Sequence, residues 1–370
     1  MKILFVIESL SLPGGGAERI LTLIANALAG RGHDVTILSF DRDGAADFYR
    51  VDAGVRRIRE GSRGKSGPGP WTKARRPARL RAIAQSLRPE VAVGFMYSAF
   101  IPLSAALVGT GIPVVGSERT SFAHYRSRPF LQLLLHASLP LLARLTVNGE
   151  AVRKGFPRWI ASKMTVVPNP VAAQEEHADP IGPGTKTLLS VGGLRPEKDH
   201  TTLVTAFADI AGRFPDWRLR IVGEGPLRSR LETLVASLGL SERVELPGAS
   251  EHVDRAYRAA QLFVLPSLYE AFPNCLAEAL AHGLPSIAFA DCPGANDLIT
   301  DGLNGRLAAA NDRRAGLSAA LEQLMASPSH RRLFGEAAPQ TVRHYAIGEI
   351  TDRWEQLFLS VVESNAIGPV

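Results

Sequence analysis

The first 40 residues, MKILFVIESLSLPGGGAERILTLIANALAGRGHDVTILSF (1–40), alternate between two hydrophobic patterns. The runs ILFVI at 3–7 and DVTILSF at 34–40 are short and apolar, as expected for buried strands. Between them, ERILTLIANALAGRG at 18–32 repeats its apolar residues at helical spacing. A strand, a helix and a second strand in this order predict two parallel strands joined by a crossover helix.

The alternation continues along the chain and restarts once. TLLSVG (187–192), HTTLVTAFADIAGRF (200–214) and RLRIVGEG (218–225) repeat the order of strand, helix and strand. The stretch 166–187 is rich in proline, glycine and acidic residues, which is typical of an interdomain linker. We therefore expect an α/β fold of two doubly wound, Rossmann-like domains, 1–170 and 171–345, that face each other across a cleft.

The composition is that of a globular protein from a reducing compartment. A chain of 370 residues, 45% of them hydrophobic, is long enough for two cores. The cysteines Cys275 and Cys292 have no partner at metal-ligand spacing and fit buried free thiols of a cytoplasmic protein. The start of the chain is too short for a secretory signal and is interpreted as a strand. The uncharged run 91–117 is divided by prolines and glycines, so we expect a buried strand, helix and strand there instead of a membrane span.

The net charge of +6 conceals a strong asymmetry between the two halves. Residues 1–170 carry 24 Lys+Arg against 11 Asp+Glu, whereas residues 171–370 carry 18 against 25. Eleven of the basic residues lie between 56 and 88, where Glu60 is the only acid, and they include the cluster from Lys65 to Arg88. Such a cluster can bind the phosphates of anionic lipids or of nucleic acid, or be a solvated surface. Trp71 is the only aromatic residue among them, which argues against nucleic acid.

Two features of the first domain suggest ligand binding. Gly14, Gly15 and Gly16 follow the first predicted strand and open a helix, where the backbone can approach an anion closely. The spacing differs from the dinucleotide fingerprint, so a dehydrogenase is a weak alternative. Asp41 and Asp43 spell the D-x-D pattern that can hold a divalent metal, although two acids in a turn are common.

In the second domain, Arg195 and Lys198 follow a predicted strand in SVGGLRPEKDH (190–200). Two cations at the carboxyl end of a strand suit a diphosphate, although they could also pair with nearby acids on the surface. A glycine turn at Gly223 follows the next strand and would leave room for a flat base.

The stretch LYEAFPNCLAEALAHGLP (268–285) places two carboxylates on either side of a helix start. Pro273 and Asn274 indicate the start of the helix, so Glu270 lies in the loop before it and Glu278 just over one turn inside it. The backbone between them, from Phe272 to Cys275, would form the anion site of a helix N-terminus. An anion between two carboxylates that accept hydroxyl groups fits a nucleoside diphosphate sugar.

These residues resemble a known family. EAFPNCLAE (270–278) is similar to the E-x7-E motif of retaining glycosyltransferases with the GT-B fold. PGGGAERIL, VVPNPV, SVGGLRPEKDH, IVGEGPLR, VELPGAS and DGLNGRL also resemble family blocks in the expected order. More narrowly, PGGGAER and GSERT resemble the family 4 enzymes that assemble bacterial surface polysaccharides and lipid-linked oligosaccharides.

The resemblance implies a retaining, metal-independent transfer, without a cofactor, from a nucleoside diphosphate sugar, in particular a UDP-sugar. It implies an acceptor domain at 1–170, a donor domain at 171–345 and a last helix at 346–370 that crosses back to the first domain. The acceptor would be a glycan or a polyprenyl-diphosphate-linked sugar at the anionic inner face of the membrane. Carried over by position, it implies catalysis by Glu270 and Lys198 and donor binding by Gly15, Gly16 and Glu278. The reasoning from the residues adds Arg195, whose place departs from the family pattern, to the catalytic group. It adds Phe272, Pro273, Asn274, Cys275 and Gly223 to the donor site.

One departure concerns the acceptor side. Many family members carry a histidine after a strand of the first domain, where this chain has Ser117, Glu118 and Arg119. These three residues are the acceptor-side candidates, and sequence distance gives no reason to assign His124 to that place. A nucleotide-sugar epimerase of similar build and a basic nucleic-acid-binding protein are the alternatives. The sugar, the linkage and the acceptor are not encoded in the motifs.

Overall fold

The structure, a computed structural model, describes residues 1–11, 16–61, 76–120, 122–250 and 252–367. The chain forms two compact units. The first unit comprises Met1–Pro170 together with Ile347–Val370, and the second comprises Val171–Ala346. Each unit is a parallel sheet flanked by helices, so the predicted Rossmann-like α/β architecture is confirmed.

Within the described residues, the first unit has a seven-stranded sheet in the order β3-β2-β1-β4-β5-β6-β7, and every pairing is parallel. The uncharged run forms a strand, a helix and a strand as predicted, because its apolar residues are buried on both faces of the sheet. The strands are β1 (Lys2–Ile7), β2 (Asp34–Ser39), β3 (Val55–Arg59), β4 (Val91–Phe95), β5 (Val114–Ser117), β6 (Arg144–Val147) and β7 (Met164–Val166).

The helices of this unit pack on both faces of the sheet. They are α1 (Gly16–Gly30), α2 (Arg76–Leu87), α3 (Tyr97–Ala106), α4 (Ala123–Arg126), α5 (Pro129–Ser138), α6 (Glu150–Gly155), α7 (Arg158–Ala161) and the last helix of the chain, α15 (Ile347–Ile367).

Helix α15 belongs to the core of the first unit, although it follows the second unit in sequence. Its Phe358 ring lies 6.4 Å from Phe5 of β1, and its Trp354 ring stacks 6.3 Å from Phe95 of β4. All four aromatic side chains are fully buried. Burying each of them contributes about 1.5–3 kcal/mol, so these contacts fix the helix to the first sheet.

The second unit has a six-stranded parallel sheet in the order β10-β9-β8-β11-β12-β13. Its strands are β8 (Lys186–Val191), β9 (Trp217–Val222), β10 (Val244–Gly248), β11 (Leu262–Leu265), β12 (Ser286–Phe289) and β13 (Gly305–Ala308). Its helices are α8 (His200–Ala211), α9 (Arg228–Ser237), α10 (Val253–Ala259), α11 (Asn274–Ala281), α12 (Pro293–Asn296), α13 (Arg313–Ala326) and α14 (Pro328–Val342).

Each sheet reverses its strand order once, between β1 and β4 in the first unit and between β8 and β11 in the second. At such a switch point the two following loops diverge to opposite faces and leave a crevice at the carboxyl ends of the strands, where ligands of doubly wound sheets bind. Lys198 follows β8, and Glu270 follows β11. The topology therefore brings two of the predicted catalytic residues to one switch point.

Candidate active site

The loops after β8 and β11 are joined directly by their backbones. The N–H of Leu268 donates to the carbonyl of Glu197 at 2.9 Å. This bond holds Glu197, which precedes Lys198, beside Leu268, which lies two residues before Glu270. The side chains of both loops are therefore in register at the carboxyl edge of the sheet.

Lys198 and Glu270 form an ion pair. The ammonium group of Lys198 donates to Glu270 Oε1 at 2.5 Å, and the Ser267 hydroxyl donates to the same oxygen at 2.8 Å. The Lys198 side chain is 23% exposed and that of Glu270 13%. Burial lowers the pKa of Lys198, but the neighbouring acidic groups, Glu270 foremost, together outweigh it, so the pKa lies above its ordinary value. Lys198 is therefore a fixed cation at neutral pH.

The position of Lys198 depends on an unusual backbone conformation in the next residue. Pro196–Lys198 forms one turn of 3-10 helix, and Asp199 follows in the left-handed region at φ 47°. This region is uncommon for residues other than glycine and costs about 1–2 kcal/mol. The Asp199 carboxylate offsets that cost by capping α8. It accepts from the Thr202 hydroxyl at 2.8 Å and from the Thr202 backbone N–H at 3.4 Å.

Gly223 and Gly225 let the loop after β9 pack directly on the backbone of the loop after β8. A Cβ at Gly223 would lie 2.0 Å from the Gly192 carbonyl oxygen, and one at Gly225 would lie 2.5 Å from that of Leu194. The Leu194 N–H donates to the carbonyl of Glu224 at 2.9 Å. The structure thus gives Gly223 a packing role, and its predicted place beside a base stays a prediction.

Helix α11 begins at Asn274 and presents its N-terminus after the loop that carries Glu270. The N–H groups of Leu276 and Ala277 both donate to the Pro273 carbonyl, at 3.0 and 3.1 Å. Proline has no N–H, so the predicted run of donors from Phe272 to Cys275 is wrong at Pro273. That residue instead fixes the backbone at the helix start. The positive end of the helix dipole still faces this edge of the sheet.

Cys275 lies in the first turn of α11. Burial raises the pKa of its thiol to about 12, although the nearby Lys198 acts in the opposite direction. Burial likewise raises the pKa of Cys292 to about 11. Both thiols are free, as the sequence predicted, although only Cys292 is fully buried and Cys275 is half-buried. Their raised pKa values keep both protonated at neutral pH.

Glu278 lies one turn further along α11, away from the ion pair. Its Oε2 accepts from the Tyr257 hydroxyl at 3.0 Å, and its backbone carbonyl accepts a hydrogen bond from His282 Nδ1 at 2.8 Å. The His282 ring also packs against Tyr257 at a tilt of 31°, with centroids 5.0 Å apart. The helix boundary separates Glu270 from Glu278 as predicted, and Tyr257 orients the second carboxylate.

Arg195 is exposed at the same edge, three residues before Lys198. Its backbone N–H donates to the Gly193 carbonyl at 2.8 Å and closes a tight turn. Among the described residues, no acid forms an ion pair with its guanidinium. The side chain is therefore available to an anion at the end of β8.

In the first unit, Glu118 follows β5 and is completely buried. Its carboxylate accepts from the N–H groups of Arg119 and Thr120 and from the Thr120 hydroxyl, each at 2.8 Å, and from the Tyr125 hydroxyl. Burial raises the pKa of Glu118, and these donors act against it. With four donors of its own chain, Glu118 organises the loop after β5 instead of presenting a free carboxylate.

Arg119 is held by polar and aromatic contacts. Its Nε donates to the Ser117 hydroxyl at 3.0 Å, its Nη1 donates to Asn169 Oδ1 at 2.5 Å, and its Cζ lies 4.9 Å from the centre of the Phe95 ring. Burial lowers the pKa of the guanidinium to about 9, while Glu118 acts in the opposite direction. Its Nη2 is buried without a hydrogen-bond partner among the described residues. Arg119 is thus the acceptor-side candidate with an unused donor.

The structure brings His124 to the same loop cluster. Its ring packs 4.9 Å from that of Tyr97, which follows β4, and 5.7 Å from that of Tyr125, whose hydroxyl donates to Glu118. Burial and the neighbouring Arg128 lower the pKa of His124. Sequence distance alone gave no indication of this placement.

Asp41 and Asp43 differ in their surroundings. Asp41 is buried, and its carboxylate accepts from the Ser9 hydroxyl at 2.5 Å, the Leu10 N–H at 2.8 Å and the Ser11 hydroxyl at 2.7 Å. Asp43 is exposed. Asp41 therefore stabilises the loop that leads from β1 to the glycine-rich segment.

Some predicted residues fall outside the described part of the chain. Gly15 is among them, and Gly16 is the exposed first residue of α1. Of the basic cluster from Lys65 to Arg88, Lys65, Lys73 and Arg75 also lie outside it, whereas its other basic residues, from Arg76 to Arg88, are described. Arg76 pairs with Glu8 through two hydrogen bonds of 2.8 Å.

Sequence patterns did not identify several residues that shape the site. Ser267 contacts Glu270 within one loop, Tyr257 contacts Glu278 and Asn169 contacts Arg119 from other elements, and Arg313 contacts Asp199, the neighbour of Lys198. Asn169 lies in the block VVPNPV, but that block gave it no role, and the other three belong to no recognisable motif, because single polar residues carry no spacing signal. The contact of Ser267 is local, and those of the other three join residues 21 to 114 positions apart, so they depend on the tertiary fold.

Two family models match the chain. Residues 173–341 match the model of glycosyl transferases group 1, and residues 14–175 match that of glycosyltransferase family 4. The chain belongs to these glycosyltransferases. Together the two matches extend over both units, and the E-x7-E segment lies within the group 1 match.

Several curated relatives of this glycosyltransferase are named for polysaccharide or glycan assembly. A GalNAc-α-(1->4)-GalNAc-α-(1->3)-diNAcBac-PP-undecaprenol α-1,4-N-acetyl-D-galactosaminyltransferase of Campylobacter jejuni is 27% identical over 366 residues, which cover 98% of this chain and 99% of that protein. An exopolysaccharide phosphotransferase of Streptomyces coelicolor is 35% identical over 234 residues, 62% of this chain. The match spans only 24% of that longer protein.

Solved structures confirm the GT-B fold of the glycosyltransferase. Sucrose-phosphate synthase from Thermosynechococcus elongatus superposes with a TM-score of 0.84 at 20% identity, covering 98% of this chain and 99% of that one. Anabaena HepE in complex with UDP and glucose superposes with a TM-score of 0.75 at 19% identity, covering 97% and 100%. Among the described helices, none is long and apolar enough to cross a membrane.

Proposed function

We propose that this glycosyltransferase moves a sugar, with retention of anomeric configuration and without a metal ion, from a nucleoside diphosphate sugar to a glycan or polyprenyl-diphosphate-linked acceptor. A UDP-sugar is the proposed donor, and cell-surface polysaccharide assembly is the proposed context. The observation that carries the proposal is the Lys198–Glu270 pair at the switch point of the second sheet, next to the N-terminus of α11.

Two comparisons support the choice of substrates. The structure of Anabaena HepE, which has the same fold, holds UDP and glucose. The relative from Campylobacter jejuni acts on an undecaprenol-PP-linked glycan, and it matches this chain over nearly its whole length. A nucleoside diphosphate also fits the chemistry of a lysine, an exposed arginine and a helix N-terminus at one sheet edge.

In the proposed mechanism, the diphosphate lies against Lys198, Arg195 and the start of α11. As the bond between the anomeric carbon and the diphosphate oxygen breaks, negative charge develops on that oxygen and these groups stabilise it. The acceptor hydroxyl attacks the anomeric carbon on the face from which the diphosphate departs, and its proton passes to the departing diphosphate. Glu270 orients the sugar hydroxyl groups, and Glu278 accepts from the ribose.

A bound donor diphosphate would share the Lys198 ammonium group with Glu270, which already contacts it. Lys198 is paired with Glu270, so a diphosphate that takes up one ammonium N–H leaves two for the carboxylate and the loop. The pair therefore holds Lys198 extended towards the sheet edge before the donor binds. Such preorganisation avoids the cost of fixing a lysine side chain during catalysis.

The experiment is a screen of nucleoside diphosphate sugars for hydrolysis and for transfer to polyprenyl-diphosphate-linked acceptors, with and without EDTA. We expect one donor to be consumed, activity to persist in EDTA, and Glu270→Gln to abolish it. Release of a free sugar isomer without acceptor would indicate an epimerase instead. Complete loss in EDTA would refute metal independence.

We further propose that the enzyme reaches its acceptor by binding anionic membranes through a surface around α5. This α5 surface comprises the exposed side chains of Phe130 (72%), Leu133 (62%), Leu141 (39%) and Trp159 (52%). The His136 ring contacts Trp159 at 5.0 Å and so places α7 beside α5. Exposed aromatic and aliphatic residues in this number favour burial in an interface.

The charge around the α5 surface favours an anionic bilayer as the partner. Residues 122–163 carry seven Lys+Arg and one acid, Glu150, which pairs with Arg153. Each basic residue near an anionic bilayer contributes about 1 kcal/mol, and each buried apolar side chain about 1.5–3 kcal/mol. A mixed surface of this kind is typical of proteins that lie on a membrane.

Sedimentation with vesicles tests this surface. We expect binding to vesicles of phosphatidylglycerol and phosphatidylcholine, little binding to phosphatidylcholine alone, and at least a tenfold loss for Phe130→Ser combined with Leu133→Ser. Leu333→Ser is the control, because Leu333 is 58% exposed on α14 of the other unit. Equal binding by the double variant, or an equal loss in the control, would contradict the assignment.

A further inference from the structure

Arg313, the first residue of α13, connects the loops that carry the proposed catalytic pair. Its Nη2 donates to the carbonyls of Pro266 and Ser267, at 2.9 and 3.0 Å, in the loop after β11. Its Nε donates to Asp199 Oδ2 at 3.3 Å, in the loop after β8. One guanidinium therefore bridges both sides of the switch point.

Two further contacts anchor the guanidinium to β12. Its Nη1 donates to Asp291 Oδ1 at 2.7 Å, and its Cζ lies 3.6 Å from the centre of the buried Phe289 ring. The Arg313 side chain is only 18% exposed. Hydrogen bonds in three directions and stacking on an aromatic ring hold the planar group in one orientation.

The residues that Arg313 contacts are immediate neighbours of the catalytic pair. Asp199 directly follows Lys198 and has the left-handed backbone conformation at φ 47°. Ser267 donates its hydroxyl to Glu270. Losing the guanidinium would therefore remove one support of the strained Asp199 backbone and one support of the Ser267 carbonyl at the same time.

Helix formation gives no reason for an arginine at this position. A cation in the first turn opposes the helix dipole, which costs about 0.3–1 kcal/mol at an exposed site. A lysine could not replace the contacts, because one ammonium group cannot reach two carbonyls, two carboxylates and a ring face together. The residue type thus matches the fork-shaped set of acceptors and not the helix.

We propose that Arg313 is a positioning residue that sets Lys198 and Glu270 in register by tying the loops after β8, β11 and β12 together. The register itself is a property of the second unit. Its consequence for sugar transfer rests on the proposed function. Arg313 acts through its neighbours and does not contact the transferred sugar.

Hydrogen exchange followed by mass spectrometry tests the positioning directly, without any substrate. The variants are Arg313→Met and Arg313→Lys, with Arg314→Met as the matched control. Arg314 is the next residue of the same helix and is 56% exposed. Among the described residues, its guanidinium forms an ion pair with Asp209 alone. We expect faster exchange in peptides covering 192–202 and 266–275 for both Arg313 variants. For Arg314→Met, we expect the exchange rates of these peptides to equal those of the wild type.

The range of the effect distinguishes positioning from a general structural role. Exchange in 218–222 of β9 and 244–260 should stay unchanged, since Arg313 forms no hydrogen bond or ion pair with the described residues of either segment. Unaltered exchange in both loops, or acceleration throughout the second unit, would overturn the proposal. Because the lysine variant keeps the charge and much of the volume, it answers the question even if the methionine variant fails to fold.

Kinetics then test the consequence for transfer. We expect kcat to fall about tenfold to a hundredfold in Arg313→Lys, with a smaller change in the donor KM, because a small displacement of reacting groups costs rate more than binding. In the Lys198→Met background, the same substitution should have little further effect. An independent, multiplicative effect there would refute action through Lys198. An inactive wild-type enzyme with the expected exchange pattern would refute the proposed function alone.

Discussion

Replacing Lys198 with methionine isolates the cation of the ion pair. Methionine keeps most of the length of the side chain and its apolar stem but removes the ammonium group. The Glu270 carboxylate then keeps the Ser267 hydroxyl as its donor. Lys186→Met is the matched control, since Lys186 lies at the opposite end of β8 and pairs with Asp216 on the surface.

The structure predicts different losses of stability and of kcat for Lys198→Met and Lys186→Met. The carboxylate of Glu270 is 13% exposed and loses a hydrogen bond of 2.5 Å, so unfolding should become easier by about 1–3 kcal/mol. Asp216 is 48% exposed, so the loss of its partner should cost about 0–1 kcal/mol. Removing one preorganised group at developing negative charge lowers kcat about 10²- to 10³-fold. Lys186→Met should leave kcat unchanged.

The assay combines thermal unfolding with donor turnover for both variants. The raised pKa of Lys198 means that its ammonium group contributes fully below the unfolded value of 10.5, and the contribution is lost as the pH rises through the folded value. Turnover should therefore show no loss of the Lys198 charge between pH 6 and about 9. Full turnover in Lys198→Met, or an equal loss in Lys186→Met, would refute the role of the cation.

Two further substitutions test one loop in each unit, at Gly223 in the second and at Asp41 in the first. Gly223→Ala should destabilise the protein by more than about 2 kcal/mol, because the new Cβ would lie 2.0 Å from the Gly192 oxygen. The control is Gly239→Ala, at φ 68° with open space around it, which should cost only about 1 kcal/mol. Equal losses of stability in the two variants would exclude the steric explanation. Asp41→Asn should cost about 1–3 kcal/mol near neutral pH. Burial raises the pKa of Asp41, but its hydrogen bonds outweigh burial, so the pKa lies below its ordinary value of 3.8. The ionised carboxylate therefore stabilises the folded protein fully above pH 3.8, and this stabilisation is lost as the pH falls through the folded pKa. The difference between wild type and Asp41→Asn in urea unfolding should therefore shrink below about pH 4, and a difference that grows there would contradict this account.

Local sequence patterns determined much of the fold. Apolar runs and helical spacing have periods of a few residues, so they identified the strands, the division of 91–117 and the boundary that separates Glu270 from Glu278. The motif blocks also identified the family, because each requires particular residue types in a fixed order.

The number of usable donors at the helix start illustrates a limit of motif reasoning. The motif places an anion site between Phe272 and Cys275, but Pro273 has no N–H and accepts instead from Leu276 and Ala277. Likewise, Glu118 stands at the place of a family histidine, but its four donors show that it organises a loop. The missing donor at Pro273 follows from the chemistry of proline, whereas the role of Glu118 depends on where its hydrogen-bond partners lie in space.

Only the tertiary structure decided which of these residues meet. Lys198 and Glu270 are 72 residues apart, and Arg313 and Asp199 are 114 residues apart. Their contacts exist because β8 and β11 are neighbours in the sheet, and that order is set by the burial of whole strands and helices. Sequence alone determined the elements and the chemical groups that they carry, since these depend on local spacing. The structure decided the ion pair, its arginine support and the docking of α15, since each depends on the packing of distant apolar surfaces.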